Sequence, residues 1–250
     1  MWLWPNLLSL DAPLVALLWQ MLFIRCFHAR GQTLPPILLA AAVWLIYAAD
    51  RVLDAWRGAA SRPRHQFYRR HWRVVLPVWT LVLGTAARLA WTGLPRETFN
   101  RGAWLGAAVA VYFAAVHGMR RKWPKEAAVA VIFALGASLA AWTNLETLPD
   151  VLTVILFSCL CWINCIAIEK WEDSPKQFSI GLLAACVGLA AIVVLHHDRP
   201  ILASAEASSA AAFVLLDRSR LKLSADALRV LADAALLSPI FFLPLAGMRF

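Results

Sequence analysis

The sequence predicts an all-helical, polytopic membrane protein, and three observations carry that prediction. Hydrophobic residues fill 61% of the 250 positions, and the mean hydropathy is +0.65. Charged residues make up 16%, against about 25% in ordinary soluble domains, so a soluble fold of this size lacks the polar coat it would need. The apolar residues also fall in blocks of roughly 17–25 separated by short charged loops, the length one helix needs to cross a bilayer. Thirteen Trp suit the same setting, because Trp concentrates at membrane interfaces.

The blocks divide into nine expected spans. The first runs over 10–27, and Pro35-Pro36 opens the second, 35–56. The third, 72–93, stops at Gly93-Leu94-Pro95, and the fourth follows at 99–118. Trp123-Pro124 precedes the fifth, 125–143, and the sixth and seventh occupy 150–171 and 178–196. Arg199-Pro200 opens the eighth, 199–216, the least apolar of the set. Its run Ala203-Ser204-Ala205-Glu206-Ala207-Ser208-Ser209-Ala210 suits close helix packing and requires Glu206 to face the protein interior. The ninth spans 225–247. Pro and Gly punctuate the block edges. No linker divides the chain, so a single domain is expected over 1–250.

The formal charge is +9. In a membrane chain this excess reflects topology and anionic headgroups or substrate, and no nucleic-acid partner is expected. With nine spans, one side receives Arg57, Arg62, Arg64, Arg69, Arg70, Arg73, Arg120, Arg121, Lys122, Lys125, Lys170, Lys176, Arg218, Arg220 and Lys222, fifteen in all. The other side receives seven: Arg25, Arg30, Arg88, Arg96, Arg101, Arg199 and Arg249. The positive-inside rule then puts the N-terminus and the even-numbered loops in the cytoplasm. The expected location is a bacterial inner membrane. Met1 to Asn6 lacks a basic n-region, so no cleavable signal is expected. Cys26, Cys159, Cys161, Cys165 and Cys186 all lie in apolar blocks without a zinc spacing and read as small apolar fillers.

Two acid pairs stand out, where the second and sixth spans reach the cytoplasmic side. Asp50 precedes Asp54 by four residues, and Glu169 precedes Asp173 by four, with Glu172 beside it. On a helix, i and i+4 share one face, so the members of each pair point the same way and repel. Carboxylates near hydrocarbon are also costly. A divalent cation offsets both costs, and oxygen-only ligands favour a hard ion such as Mg²⁺, which completes its shell with water and phosphate oxygens. Arg51, Arg57, Arg62, Arg64, Lys170 and Lys176 stand near the acids and suit an anion held by the metal. Acids for metal, bases for phosphate and a cavity in lipid together point to a lipid-tailed diphosphate. Solvated helix caps paired with neighbouring Lys and Arg are the plainer reading of the same residues.

At these residues the chain resembles the UbiA superfamily of intramembrane prenyltransferases. That family has nine transmembrane helices and two acid-rich motifs at the cytoplasmic ends of helices two and six. Its first motif reads Asn-Asp-x-x-Asp-x-x-x-Asp with a following Arg-Pro. Here Asp50, Asp54 and Arg62-Pro63 match, while Ile46-Tyr47 replaces the leading Asn-Asp. The second motif is a run of acids ending near a Lys, here Glu169-Lys170-Trp171-Glu172-Asp173 with Lys176, so Lys170 intrudes among the acids. The match makes the chain a divergent member.

The resemblance implies a Mg²⁺-dependent transferase. It would ionise a polyprenyl diphosphate and pass the prenyl group to an aromatic or other lipophilic acceptor. Asp50, Asp54, Glu169 and Asp173 would be catalytic, and with Glu172 would hold the metal. Arg51, Arg62, Arg64, Lys170, Lys176, Tyr47 and Asn164 would bind substrate. Trp44, Tyr47, Tyr112, Trp162 and Trp171 are candidates to face the allylic cation, or else anchor and pack. Asn164 could orient an acid or an acceptor, or bond one helix to another. The basic loop from Ser61 to Arg73 could form a mobile lid over the diphosphate, with His65 and His71 as proton acceptors, or rest on anionic lipid. Two other functions compete. One is a terpene cyclase on the same fold. The other is a non-enzymatic cation or lipid transporter using the deeper acids Glu206 and Asp233, against which stands the expectation of no broken helix pair at the bilayer midplane.

Overall fold

A computed structural model describes residues 8–29, 33–56, 63–118, 125–173 and 179–247, with the side chains at 54–56, 63–66, 117–118 and 172–173 outside that description. Every regular element among the described residues is helical. In hydrocarbon each backbone N–H and C=O must be satisfied within its own segment, which leaves an apolar block little alternative. The helices are α1 (Asp11–Cys26), α2 (Leu34–Trp56), α3 (Pro63–Gly93), α4 (Arg96–Gly118) and α5 (Lys125–Ser138), the last extended by a 3₁₀ segment, Leu139–Asn144. They continue as α6 (Leu148–Asp173), α7 (Ile180–Leu195), α8 (Pro200–Ser219), α9 (Ala225–Ala235) and α10 (Pro239–Phe242).

Seven stretches among the described residues are long and apolar enough to cross a bilayer: Leu34–Leu53, Phe67–Gly93, Arg96–Val116, Lys125–Asn144, Leu148–Trp171, Pro200–Lys222 and Ala225–Gly247. The expectation of nine is not met by length. α1 and α7 occupy the first and seventh expected positions but have 16 residues each. At about 1.5 Å per residue they fall short of a hydrocarbon core of about 30 Å.

Local signals set several ends. Thr147 precedes α6, and the Asp150 carboxylate reaches back to accept from the N–H groups of Thr147 (3.0 Å) and Glu146 (3.1 Å), the reciprocal half of a capping box. Ser179 caps α7 by accepting from the Leu182 N–H, and Ser224 caps α9 by accepting from that of Ala227. Pro200 opens α8, where its missing N–H costs no hydrogen bond.

Two expectations fail for physical reasons. The basic loop expected up to residue 71 is helical from Pro63 onward, because Pro fixes a helical φ in a first turn. Tyr68 in this stretch is 2% exposed, and its hydroxyl shares a 3.0 Å hydrogen bond with that of Ser9. The described part of the expected lid is therefore helical and held at Tyr68, and Ser61 and Arg62 lie outside the described residues. The ninth span is also not continuous: α9 stops at Ala235, and turns at 236–238 precede α10. Pro239 explains the break, since it has no N–H to give and its ring clashes with the carbonyl four residues earlier, that of Ala235. Side chains of α1 satisfy one carbonyl at the break and one just past α10. Trp19 Nε1 donates to Leu236 O at 2.8 Å, and Arg25 donates to Leu243 O at 2.6 Å.

The core runs through α1 and α6. Trp19 stacks on Phe157 with centroids 4.2 Å apart, and Phe23 meets Phe157 edge-on at 5.6 Å. Around this centre, helices neighbour one another largely in chain order, and α9 returns to pack on both α1 and α6. α7 and α8 form the most extensive pair, close because Gly188 faces Ala207 and Ala210. Glu206, as expected, is fully buried. α3 packs on α2, where Trp79 Nε1 donates to Leu45 O, and α4 packs on α5. From Arg69 to Val116 no residue is buried. Leu81, Trp91, Trp104 and Val111 are 70–79% exposed there, a surface suited to lipid and not to water.

Candidate functional site

A cavity lies where α1, α2, α5, α6 and α9 converge. Helical periodicity brings its walls together. On α2, Tyr47, Asp50, Arg51 and position 54 recur at the i, i+3, i+4, i+7 spacing of one face. On α6, Cys161, Cys165, Glu169 and position 173 follow at intervals of four. Tyr47, Cys161, Asn164 and Cys165 line the cavity, and Asp233 and Leu236 line it from the end of α9, beside the helix break. Val15, Val129 and Phe133 supply apolar wall. The cavity is small, with about 30 Å³ open to a water-sized molecule.

Its polar groups form one connected cluster. Asn164 Nδ2 donates to Asp233 Oδ1 at 3.0 Å, joining α6 to α9. Asp233 lies beside the Asp11 carboxyl and in the field of Arg51. Arg51 is 6% exposed, and its charge compensates the nearby acids. Asn164 Oδ1 is buried with no hydrogen-bond partner.

The structure therefore brings together some of the expected residues. Tyr47 and Asn164 meet at the cavity, Arg51 lies within electrostatic reach of Asp233, and Asp50 lies half-buried within electrostatic reach of Tyr112 on α4. Glu169 is exposed and Lys170 half-buried, one turn beyond Cys165 and Ile166 toward the end of α6. Asp54, Glu172, Asp173 and Arg64 lie on described helices, but their side chains fall outside the description, as do Arg62 and Lys176 entirely. The candidate aromatics separate. Tyr47 faces the cavity, whereas Trp44 Nε1 donates to Leu8 O and Trp171 Nε1 to Asp217 Oδ1. Trp162 is 37% exposed. His71 is exposed, its Nδ1 2.9 Å from Phe67 O, and His65 lies outside the described side chains.

Compared with known proteins, the chain matches no family model, no curated protein and no solved structure.

One site residue, Asp11, escaped sequence reasoning, and Asp233 was singled out only for the transporter reading. Asp11 reads as an ordinary first-turn acid, favourable at a helix N-terminus, and only packing shows its carboxyl against Asp233. Asp233 reads as a deep acid with no evident partner. The available signal was chain polarity: the first span starts, and the second ends, on the same side of the bundle.

Among the described residues no group of three or more His, Cys, Asp or Glu could hold a metal, and the side chains of Asp54, Glu172 and Asp173, three of the five expected metal donors, lie outside the description.

Proposed function

We propose that this chain is a divergent, Mg²⁺-dependent intramembrane prenyltransferase of the UbiA type, with α1 and α7 completing nine spans and the N-terminus in the cytoplasm. One observation carries the reading. The faces of α2 and α6 that bear the acid pairs continue, one turn deeper, into the walls of a single cavity through Tyr47 and through Asn164 and Cys165. An acid cluster at the helix ends beside a cavity with apolar wall at Val15, Val129 and Phe133 matches the two halves of a lipid diphosphate. Asp50 and Asp54 on α2, with Glu169, Glu172 and Asp173 on α6, would hold Mg²⁺, and Arg51, Arg62, Arg64, Lys170 and Lys176 would take the diphosphate oxygens. Bound Mg²⁺ supplies positive charge that stabilises the leaving diphosphate as the allylic C–O bond ionises. Tyr47 presents a ring to the positive carbon, a contact of about 0.5–2 kcal/mol. The apolar walls keep water from the cation.

The test uses purified full-length protein in lipid with Mg²⁺ and labelled prenyl diphosphates of several chain lengths. Pyrophosphate release is expected, abolished by chelation and reduced at least about 100-fold by Asp50→Asn or Asp54→Asn, the scale of losing charge stabilisation in the transition state. Wild type releasing no more than the variants at every chain length sinks the proposal. A cyclic hydrocarbon formed without acceptor would identify a cyclase on the same site. The transporter reading draws on two observations: the ninth span is broken, and both oxygens of fully buried Glu206 lack a hydrogen-bond partner. It requires a flux that Glu206→Gln abolishes and Asp50→Asn leaves intact.

A further inference from the structure

Glu206 stands six residues beyond Pro200 on α8, about 9 Å from that end at 1.5 Å per residue, inside a stretch apolar enough to cross the bilayer. It is fully buried, and neither carboxyl oxygen has a hydrogen-bond partner. The hydroxyls on the same side of α8 have no hydrogen left to give. Ser238, in the turns between α9 and α10, donates to Ala205 O at 2.8 Å, which uses its single hydrogen. Ser209 must therefore be the donor in its 2.9 Å bond to Ser238. Ser209 lies three residues beyond Glu206, on the same helix face, so it can offer the carboxyl only lone pairs. On α6 the thiols of Cys159 and Cys161 lie within electrostatic reach of Glu206, and neither donates to it. α7 and α10 carry no charged residue, and the described charged residues of α1, α6 and α9 set no charge against it.

An ionised carboxylate in this place meets neither a donor nor a cation, so it loses its hydration with nothing in return. A proton removes the charge, takes up no space and, unlike a metal ion, requires no shell of oxygens. We infer that Glu206 is a proton-binding site, and that its proton keeps α8 seated against the break between α9 and α10. The break is the part of the surround that gives way when the proton leaves. Its residues 236–238 form turns outside the helical ladder, and Ser238 joins them to α8 through the bonds to Ser209 and Ala205. Opening there lets water reach the new charge. The inference needs neither the prenyltransferase reading nor a flux.

Two measurements on the full chain in lipid nanodiscs test it. The first is the infrared difference between wild type and Glu206→Gln at neutral pH. The carbonyl stretch of a neutral carboxylic acid is expected in wild type and missing from the variant. The second is amide hydrogen exchange over residues 236–238, taken as the ratio of wild type to variant at each pH, which cancels base catalysis. A ratio that is constant in mild acid is expected to climb in alkali by up to about tenfold per pH unit, the dependence one released proton imposes on an opening equilibrium. Glu206→Met, equally without a titratable proton, takes the place of Glu206→Gln if that variant does not fold. Loss of a carboxylate band instead of an acid band, or an acid band seen only when sodium is withheld, shows Glu206 ionised or metal-bound and overturns the inference. An exchange ratio that stays flat with pH overturns it as well. Pyrophosphate release on the same preparations bears on the transferase reading alone.

Discussion

Trp19 shows how much one side chain carries in this bundle. Its ring is fully buried against Phe157, and its Nε1–H satisfies the Leu236 carbonyl at the helix break. Trp19→Phe keeps most of the packing and orphans Leu236 O, for an expected loss of about 1–3 kcal/mol. Trp19→Ala adds a cavity, for about 3–5 kcal/mol. Denaturant unfolding in bicelles would read both, and equal losses would show that the hydrogen bond contributes nothing. Asp150, 1% exposed, holds the start of α6 and accepts from Arg199 Nε at 2.7 Å. Asp150→Ala removes the cap and the ion pair together, and a loss of about 1–3 kcal/mol is expected in the same assay. At this scale the sequence was legible where chemistry is local. The acid pairs, Tyr47 and Asn164 announce themselves by type and spacing. Asp11 does not, because its role comes from a residue more than two hundred positions away.

Elements depend on smaller residues. Gly188 lets α7 lie against α8, and a Cβ there would stand 2.8 Å from that of Ala210. Gly188→Ala is expected to destabilise by about 1–3 kcal/mol through overpacking. Adding Ala210→Gly should recover most of the loss, because the two changes share one contact; a double variant no better than the single one would refute that account. At the opposite end of α7, the Asp217 carboxylate accepts from Trp171 Nε1 (3.2 Å), the Gly181 N–H (2.9 Å) and Arg220 (3.1 Å), tying α6, α7 and α8 together. The break between α9 and α10 was within reach of the sequence, since Pro239 stands inside an otherwise continuous apolar block. Mean hydropathy conceals it. The helical start of α3 was also within reach, from Pro63, but a high density of Arg and His around it resembles a loop when only charge is weighed.

For the whole molecule, the open matter is how often the chain crosses. α1 and α7 are each shorter than the hydrocarbon core, and the basic residues divide fifteen to seven if α7 crosses and fourteen to eight if it does not, whether or not α1 crosses. A cysteine-free background with single cysteines at Lys170 and Asp198 tests α7 directly. Labelling by an impermeant maleimide from opposite sides is expected, with Lys170→Cys reacting from the cytoplasm. Both sites reacting from one side would leave α7 as a re-entrant helix and invert every loop beyond it.

The sequence by itself determined that the chain is helical and lives in a membrane, because hydropathy is a sum over residues that no packing can reverse. It also determined that two acid pairs sit one turn apart on helix faces, because 3.6 residues per turn is a local property. Only the tertiary structure decided which deeper groups those faces lead to. The Asp11–Asp233–Asn164 cluster, the unmatched Asn164 oxygen and the cavity beside the broken ninth span each require helices distant in sequence to meet. Hydrophobic periodicity is nearly uniform in a lipid-embedded chain, so it carries little information about which face turns inward.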